Sequence, residues 1–316
     1  MKVSAILPWF GGKRTLAPEI VRELGTHSAY WEPFCGSMAV LLAKPPCGME
    51  TVNDLHQDLV NLARIIRDPV AGSIFYRTMR RMWMNESEFN AMRNQLRNQA
   101  LVAAFKPDQT AASMTAQQLH RAINYFATSW QGMNGLAGTA RYNNAFAKRY
   151  TKNGGGAAKR WESAVDSIPA WRRRMRNLTI LDGCGIELLT KIADEPGHAI
   201  YVDPPYLAKG AEYEHDLTAN DHRRLAEALD RFEYARVVVS YYDHPELAKL
   251  YPRWSIRRFD MSKALAAQGK RGENDARAPE VLLLNGPSHV VAGCERLPDV
   301  PPAWGRPKDL FGEEEL

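Results

Sequence analysis

The sequence is poor in cysteine and contains no long apolar run. Its 316 residues include four cysteines, which are Cys35, Cys47, Cys184 and Cys294. No two of them form a Cys-x-x-Cys pair, so a structural zinc site is not expected and the thiols are predicted to be reduced. No segment reaches the roughly 18 apolar residues that a membrane-spanning helix needs, and the apolar N-terminal stretch is too short for a signal peptide. These absences favour a cytoplasmic protein without a membrane partner.

The sequence Gly-x-Gly-x-x-Gly, which marks many dinucleotide-binding folds, is also missing. Its absence disfavours a nucleotide-dependent oxidoreductase. Hydrophobic residues make up 45% of the chain and charged residues 24%, which is enough apolar material for a core. This composition excludes disordered, collagen-like and low-complexity proteins.

The basic residues are concentrated in the middle of the chain. The formal net charge is +5 overall, but it is −1 over residues 1–60, +13 over residues 61–177 and −7 over residues 178–316. A basic segment of this size between neutral or acidic flanks is typical of a surface that binds a polyanion. We therefore expect nucleic acid as a partner and residues 61–177 as the part that contacts it.

The pattern of apolar residues predicts an α/β sheet interrupted by a helical insert. Strands alternate with helices in residues 1–60 and 178–290, whereas the basic middle segment has helical spacing. We predict one discontinuous domain from those two flanks, a helical insert over 61–177 and a tail over 291–316. Predicted strands cover 27–32, 49–52, 178–181, 199–202 and 236–240, with a hairpin from 254–259 and 280–284. Predicted helices cover 16–24, 38–43, 55–66, 74–84, 86–105, 115–130, 161–177 and 217–232, the last capped by Thr218 and Asp221.

The motif Asp203-Pro204-Pro205-Tyr206 follows a predicted strand. Two consecutive prolines end a central strand, so the carboxylate of Asp203 is expected at the carboxyl edge of the sheet, where α/β proteins bind ligands. A carboxylate, a fixed carbonyl and an aromatic ring together suit a planar amine, with two acceptors for its N–H groups and a face for stacking.

Two glycine-containing turns and one acidic residue precede that motif. The turn Glu32-Pro-Phe-Cys-Gly-Ser37 joins a predicted strand to a helix, and Gly36 permits close approach of a ligand to the backbone. Asp54 ends the next strand, where a carboxylate can accept hydrogen bonds from ribose hydroxyls. Near the N-terminus, Trp9-Phe10-Gly11-Gly12-Lys13 combines stacking rings with a glycine turn and a cation.

The order of these motifs resembles the D12-class, Dam-like DNA adenine-N6 methyltransferases. The motifs follow one another in the order found in that family: Phe-Gly-Gly-Lys, Glu-Pro-Phe-Cys-Gly-Ser, Asn-Asp, a basic helical insert and Asp-Pro-Pro-Tyr. The stretches 134–136 and 141–146 resemble the start of its recognition segment, and 240–243 its strand after the catalytic motif. One departure is Met38, which occupies the last glycine position of the family's Glu-Pro-Phe-x-Gly-x-Gly loop.

The resemblance implies a Rossmann-like sheet that binds S-adenosylmethionine, with a target-recognition domain inserted before the catalytic motif. It implies catalytic roles for Asp203, Pro204, Pro205 and Tyr206. The implied cofactor-binding residues are Trp9, Phe10, Gly12, Lys13, Glu32, Phe34, Gly36, Asp54 and Asp203. The insert suggests DNA contacts by Asn134, Arg141, Lys148, Arg149, Lys152, Arg172 and Arg173.

The expected reaction is direct transfer of the cofactor's methyl group to a flipped-out adenine of double-stranded DNA, without a metal. The expected setting is the cytoplasm of a bacterium or of a phage-infected cell, with a restriction enzyme considered as a partner. Alternatives left open are transfer to cytosine N4 or to an amine on RNA or protein, and a non-catalytic DNA-binding regulator with the same fold.

Overall fold

The computed structural model describes residues 4–98, 116–133, 145–148, 156–207, 216–259 and 279–292. These residues divide into two compact units. The first unit takes its described residues from 1–18 and 34–185, and the second takes its from 19–33, 186–211 and 216–316. The domain boundaries expected from composition, 1–60 with 178–290 around an insert, stay a prediction.

The described residues form ten helices and seven strands. In chain order these are α1 (Ala17–Leu24), β1 (Ala29–Glu32), α2 (Ala39–Ala43), β2 (Met49–Asn53), α3 (Gln57–Arg67), α4 (Ala71–Arg81), α5 (Glu86–Asn98), α6 (Ala116–Gln131), α7 (Ala157–Arg174), β3 (Thr179–Leu181), α8 (Gly185–Lys191), β4 (His198–Val202), α9 (Ala219–Asp230), β5 (Arg236–Tyr242), α10 (Leu247–Leu250), β6 (Ser255–Phe259) and β7 (Glu280–Leu284).

The first unit combines the parallel pair of β2 and β3 with the helices α2 to α7. Its helical core is aromatic. Phe126 of α6 is fully buried, and its ring contacts those of Phe75, Trp130, Trp161 and Trp171 at centroid distances of 5.4 to 6.3 Å. Aromatic rings bury large areas, and such contacts between α4, α6 and α7 hold the helices of the insert together.

The second unit contains a five-stranded sheet with the order β1-β4-β5-β7-β6. Strands β1, β4 and β5 are parallel, and β7 pairs antiparallel with both β5 and β6. Val237, Val238 and Val239 of β5 are all fully buried, as expected for a central strand covered on both faces. The predicted pairing of 254–259 with 280–284 is confirmed, while the loop expected between them lies outside the described residues.

Most predicted elements are present with shifted ends. Thr218 and Asp221 form the predicted capping box of α9, with Asp221 N–H donating to Thr218 Oγ1 at 3.2 Å. Helix α7 begins at Ala157, before the predicted start at residue 161, and includes Pro169. Helices α8 and α10 were not predicted, because seven and four residues are too few to display a helical period.

The alternation of strands and helices confirms the α/β class predicted from sequence. Among the helices in the part of the chain that the structure describes, none combines the length and the apolar character that crossing a bilayer requires.

Candidate active site

The turn after β1 is shaped by Gly36, which lies in the first unit. Its backbone has φ of +43°, and its N–H donates to Asp54 Oδ2 at 2.8 Å. A Cβ at this position would lie 2.9 Å from Nε1 of Trp9. The position therefore requires glycine for two reasons, the left-handed backbone and the close approach of the indole. This contact joins the glycine turn to the N-terminal motif.

Met38 occupies a left-handed conformation although it is not glycine. Its φ is 58° and ψ is 32°, and its side chain is fully buried immediately before α2. The Met38 N–H donates to the carbonyl of Cys35 at 2.8 Å, which closes the turn. A side chain in this region costs about 1 kcal/mol or more, so burial of Met38 must offset the strain. The turn has the backbone that a glycine would favour, despite the departure from the family pattern.

Asp54 connects two segments through its two carboxylate oxygens. Oδ2 accepts the Gly36 N–H, and Oδ1 accepts the N–H of His56 at 2.9 Å. The carboxylate is half-buried at the carboxyl end of β2. Two backbone donors fix its orientation, and an oxygen so held can accept further bonds from hydroxyl groups. The predicted role of Asp54 toward a ribose fits this geometry.

Asn53 is a structural partner of the site that sequence reasoning missed. It is 1% exposed, and its amide forms two hydrogen bonds with the backbone of Gly183, at 2.8 and 2.9 Å. The pair ties the end of β2 to the turn after β3. Because the two residues are 130 positions apart, no local pattern could have revealed the contact.

The N-terminal motif packs on His56. The ring of Trp9 meets the ring of His56 edge-on at 5.5 Å, and His56 stacks on Tyr125 of α6 at the same distance. His56 Nδ1 also accepts the Leu59 N–H and caps α3, so the neutral ring carries its proton on Nε2. The structure thus brings Trp9, Gly36 and Asp54 together within the first unit.

The remaining predicted cofactor residues of the first unit lie in the same turns. Gly12 N–H donates to the Trp9 carbonyl at 3.2 Å, and Phe10 and Phe34 are half-buried. Lys13 is 5% exposed and its Nζ donates to the carbonyl of Gly11 at 2.6 Å. A buried ammonium needs acceptors. Its role toward the carboxylate of a cofactor stays a prediction.

The second unit holds Glu32 and the catalytic motif at the carboxyl ends of the parallel strands β1 and β4. Glu32 is 2% exposed and accepts the hydroxyl of Tyr30 at 2.9 Å. Asp203 Oδ1 accepts two hydroxyl donors, Ser240 at 2.7 Å and Tyr206 at 3.3 Å. These bonds orient the carboxylate at the edge of the sheet. The motif leaves the strand as expected, with Pro204 buried and Pro205 half-buried.

Tyrosine side chains surround the end of the motif. The ring of Tyr206 meets that of Tyr242 edge-on at 4.5 Å and lies 5.7 Å from that of Tyr241. Burial raises the pKa of Tyr241 well above its usual range, so its hydroxyl stays protonated. His222 Nδ1 lies 3.0 Å from that hydroxyl, and burial lowers the His222 pKa to about 4. The side chains of Tyr241 and His222 are therefore both neutral near pH 7.

The predicted DNA-contact residues divide into two groups. Asn134, Arg141, Arg149 and Lys152 lie outside the described residues. Lys148 pairs with Glu86 at 2.5 Å, and Arg172 donates to Ser73 Oγ and to the Pro69 carbonyl at 2.9 Å each. Arg173 is exposed. Their roles toward DNA stay predictions, and Arg172 also has a structural function.

Comparison with known proteins identifies the family. A family model described as D12 class N6 adenine-specific DNA methyltransferase matches residues 9–262, which is most of the chain. The matched range includes the glycine turn, Asp54 and the Asp-Pro-Pro-Tyr motif. The chain therefore belongs to the D12 class of N6 adenine-specific DNA methyltransferases, and the family assignment made from the motif order is confirmed.

Two relatives agree with the assignment. The chain is 24% identical over 294 residues to the retron Ec67 DNA adenine methylase of Escherichia coli, covering 90% of this chain and 92% of that protein. It is 23% identical over 298 residues to a DNA adenine methylase of Vibrio cholerae serotype O1, covering 90% and 96%. The expected enzyme class, a DNA adenine-N6 methyltransferase with an α/β fold, is thus supported along nearly the whole chain.

Proposed function

We propose that this enzyme binds S-adenosylmethionine through the predicted cofactor residues. The cradle formed by Gly36, Trp9 and Asp54 fits such a ligand, because it offers a half-buried indole ring and a carboxylate that two backbone N–H groups hold in place. Asp54 would accept the ribose hydroxyls, and the Lys13 ammonium would bind the methionine carboxylate. The other predicted cofactor-binding residues would be Phe10, Gly12, Glu32, Phe34 and Asp203.

Asp203 and the Pro204 carbonyl would each accept an N6–H bond from the target adenine. The lone pair of an aromatic amine is delocalised into its ring, and two fixed acceptors favour a more tetrahedral nitrogen whose lone pair can attack. The cofactor, when bound, supplies an electrophilic methyl group on its sulfonium. In a direct in-line attack, the new bond from N6 to the methyl carbon would form as the bond from sulfur to that carbon breaks, with its electron pair left on sulfur as a thioether, and N6 would then lose its excess proton to water. Preorganised hydrogen-bonding groups of this kind are typically worth on the order of 3 kcal/mol each.

The observation that carries this proposal is the paired hydrogen bonding at Asp203 Oδ1. Ser240 and Tyr206 both donate to this one oxygen, so the carboxylate is held before substrate arrives. A group that need not reorganise contributes more to catalysis than one that must. We retain the prediction of Pro205 as the residue that fixes the Pro204 carbonyl.

The substrate is proposed to be double-stranded DNA whose adenine flips out of the helix, because N6 stacked and paired inside the duplex cannot reach acceptors at the edge of the sheet. Tyr206 would stack on the extruded base while Tyr242 supports its ring edge-on. A restriction enzyme as partner and a bacterial or phage-infected cytoplasm as setting belong to the same proposal. The N6 specificity of the family argues against cytosine N4, RNA or protein amines and a non-catalytic regulator.

A fluorescent adenine analogue tests the flipping step. The adenine that accepts the methyl group is first located by sequencing DNA methylated by the enzyme. Duplex DNA carrying 2-aminopurine at that position should then brighten when the wild-type enzyme and S-adenosylhomocysteine bind it. Tyr206→Ala should reduce the fraction flipped while the free protein keeps its unfolding temperature. A signal that does not change on binding of wild-type protein would contradict the proposed extrusion.

A further inference from the structure

Trp83 is the most exposed large hydrophobic residue in the described part of the chain. Its side chain is 83% exposed, whereas Trp130, Trp161 and Trp171 of the same unit are at most 7% exposed. Tryptophan is normally well buried, and an exposed one costs solvation free energy. Tryptophan is enriched, together with arginine, among the few residues that dominate the free energy of binding at interfaces.

The backbone around Trp83 is fixed. Trp83 lies between α4 and α5, and the preceding Met82 carbonyl accepts the indole N–H of Trp161 at 3.3 Å. On the other side, Asn85 Oδ1 accepts the N–H groups of Ser87 and Glu88 at 2.8 and 3.3 Å. The connection is therefore anchored at both ends, and it presents the indole to solvent from a defined position.

Positive charge precedes Trp83 in the chain by two and three residues. Arg80 and Arg81 end α4 and are exposed, and within the described residues neither takes part in an ion pair. The guanidinium of Arg80 lies 6.0 Å from the ring of Tyr76. The neighbouring carboxylates are Glu86, which pairs with Lys148, and Glu88 in the first turn of α5. Two exposed guanidinium groups beside an exposed indole suit a polyanion better than an apolar partner.

The same surface borders the predicted recognition segment. Glu86, three residues after Trp83, pairs with Lys148 at 2.5 Å, and Phe89 of α5 meets Phe146 edge-on at 5.5 Å. Residues 145–148 are the described part of the stretch expected to contact DNA. Both side chains of the Glu86–Lys148 pair are 46% exposed. The start of α5 therefore lies against the segment that carries the predicted DNA contacts.

We propose that Trp83, Arg80 and Arg81 form a second DNA-contact surface beside the recognition segment. Arg80 and Arg81 bind phosphates of the duplex, and the indole packs against the adjoining deoxyriboses with its N–H toward a phosphate. Such contacts position the protein on the duplex and carry no base sequence. This inference goes beyond the family's adenine-N6 activity and relies on DNA as the substrate.

The test measures the affinity of the full-length enzyme for mixed-sequence duplex DNA at rising salt. Trp83→Ala should weaken binding about threefold to fivefold, an effect at or below the low end of the range measured for bases stacked on aromatic rings, and Trp83→Phe should recover part of the affinity. Changing both Arg80 and Arg81 to Gln should flatten the dependence of log affinity on log salt by about 0.9 for each phosphate that the variant no longer neutralises.

Two controls separate a specific contact from a general effect. Tyr234, which is 67% exposed and lies in the second unit, matches Trp83 as an exposed ring. Arg253 is an exposed arginine of the second unit, at 65% side-chain exposure, and it differs from Arg80 and Arg81 in its contact with Asp230 at 3.5 Å. Tyr234→Ala and Arg253→Gln should leave affinity and salt slope unchanged. The proposal is overturned if Trp83→Ala binds DNA with the affinity of the wild type. That outcome includes the case in which the substitution changes only the self-association of the protein, measured by sedimentation. Failure of the wild-type enzyme to bind any duplex would instead contradict the DNA-methylating function itself.

Discussion

Ser240 Oγ donates a 2.7 Å hydrogen bond to Asp203 Oδ1, and the same hydroxyl lies 2.9 Å from the hydroxyl of Tyr201. Ser240 and Tyr201 are at most 1% exposed, so water cannot replace either partner. The serine on β5 thus connects the carboxylate after β4 to a buried tyrosine within β4. We expect Ser240 to act as a positioning residue for Asp203.

Ser240→Ala should lower kcat on the order of 10- to 100-fold, the effect of removing a hydrogen bond to a charged group. DNA affinity should stay unchanged, and Ser240→Thr should restore part of the rate because it keeps the hydroxyl. Ser255→Ala is the matched control, since Ser255 is also a buried serine on a strand of the second unit. Unchanged kcat in Ser240→Ala would show that the serine does not position the carboxylate.

Asp54→Asn should weaken S-adenosylmethionine binding by at least about tenfold, because an amide offers one acceptor where the carboxylate offers two. Calorimetric titration of the free enzyme measures the effect. Asp194→Asn is the control, since Asp194 also accepts backbone N–H groups, from residues 233–235, and those bonds lower its pKa. The control should lose unfolding free energy but keep cofactor affinity. Equal affinities of the two variants would exclude Asp54 from the cofactor site.

Gly36→Ala should disrupt the cofactor cradle, because the new methyl group would lie 2.9 Å from Trp9 Nε1 and because φ of +43° disfavours alanine. We expect a cofactor affinity lower by about tenfold or more, equivalent to about 1.4 kcal/mol. At Gly156 a Cβ would meet nothing within 4 Å, so Gly156→Ala should bind the cofactor like wild type. If Gly36→Ala bound S-adenosylmethionine with the affinity of the wild type, the contact between residue 36 and the Trp9 indole would not be needed for cofactor binding.

His222 should make the unfolding free energy depend on pH. Its pKa falls from 6.5 to about 4 in the folded protein because the ring is buried. The unfolded chain then binds a proton that the folded chain does not, so this contribution is fully present above pH 6.5 and is lost as the pH falls toward 4. The loss amounts to about 3 kcal/mol. Denaturant titrations at several pH values measure the unfolding free energy. In His222→Gln this free energy should no longer fall between pH 6.5 and 4 by the amount due to His222, whereas His289→Gln should keep that fall.

Arg173 in the last turn of α7 and Arg176 just after that helix are both exposed, so we expect their side chains to be accessible to DNA. Changing both to Gln should weaken DNA binding and flatten its salt dependence. Arg174→Gln should instead lower the unfolding free energy by about 1.5–3 kcal/mol, because Arg174 donates hydrogen bonds to both oxygens of buried Glu50, at 2.5 and 2.7 Å, while Lys44 at 2.6 Å stays as the remaining partner of that carboxylate. An unchanged salt slope in the double variant would make Arg173 and Arg176 ordinary surface residues.

The sequence was sufficient to predict elements that local chemistry defines. The capping box of α9 depends on two residues three positions apart. Strand β4 ends just before Pro204 and Pro205, because consecutive prolines cannot continue a central strand. The motif order was enough to assign the family, and three of the motifs, the glycine turn, Asp54 and Asp203–Tyr206, each follow a strand: β1, β2 and β4. These signals are carried by neighbouring residues and need no tertiary structure.

Features that depend on distant contacts could not be predicted. The bond from Ser240 to Asp203 and the pair of Asn53 with Gly183 join residues 37 and 130 positions apart. The four arginines within residues 172–176 predicted a basic surface, but two of them contact other parts of the protein. Arg172 donates a hydrogen bond to Ser73, and Arg174 forms an ion pair with Glu50. Met38 takes a left-handed backbone that its residue type disfavours, because the closing turn and its burial outweigh local preference.

The central claim is transfer of a methyl group to adenine N6 by means of Asp203. The most direct measurement incubates the enzyme with S-adenosylmethionine labelled in its methyl group and with mixed-sequence double-stranded DNA, then digests the DNA and identifies the labelled nucleoside. We expect the label in N6-methyldeoxyadenosine, and none with Asp203→Ala although that variant still binds DNA. Label in N4-methyldeoxycytidine, or an Asp203→Ala enzyme as active as wild type, would contradict the claim.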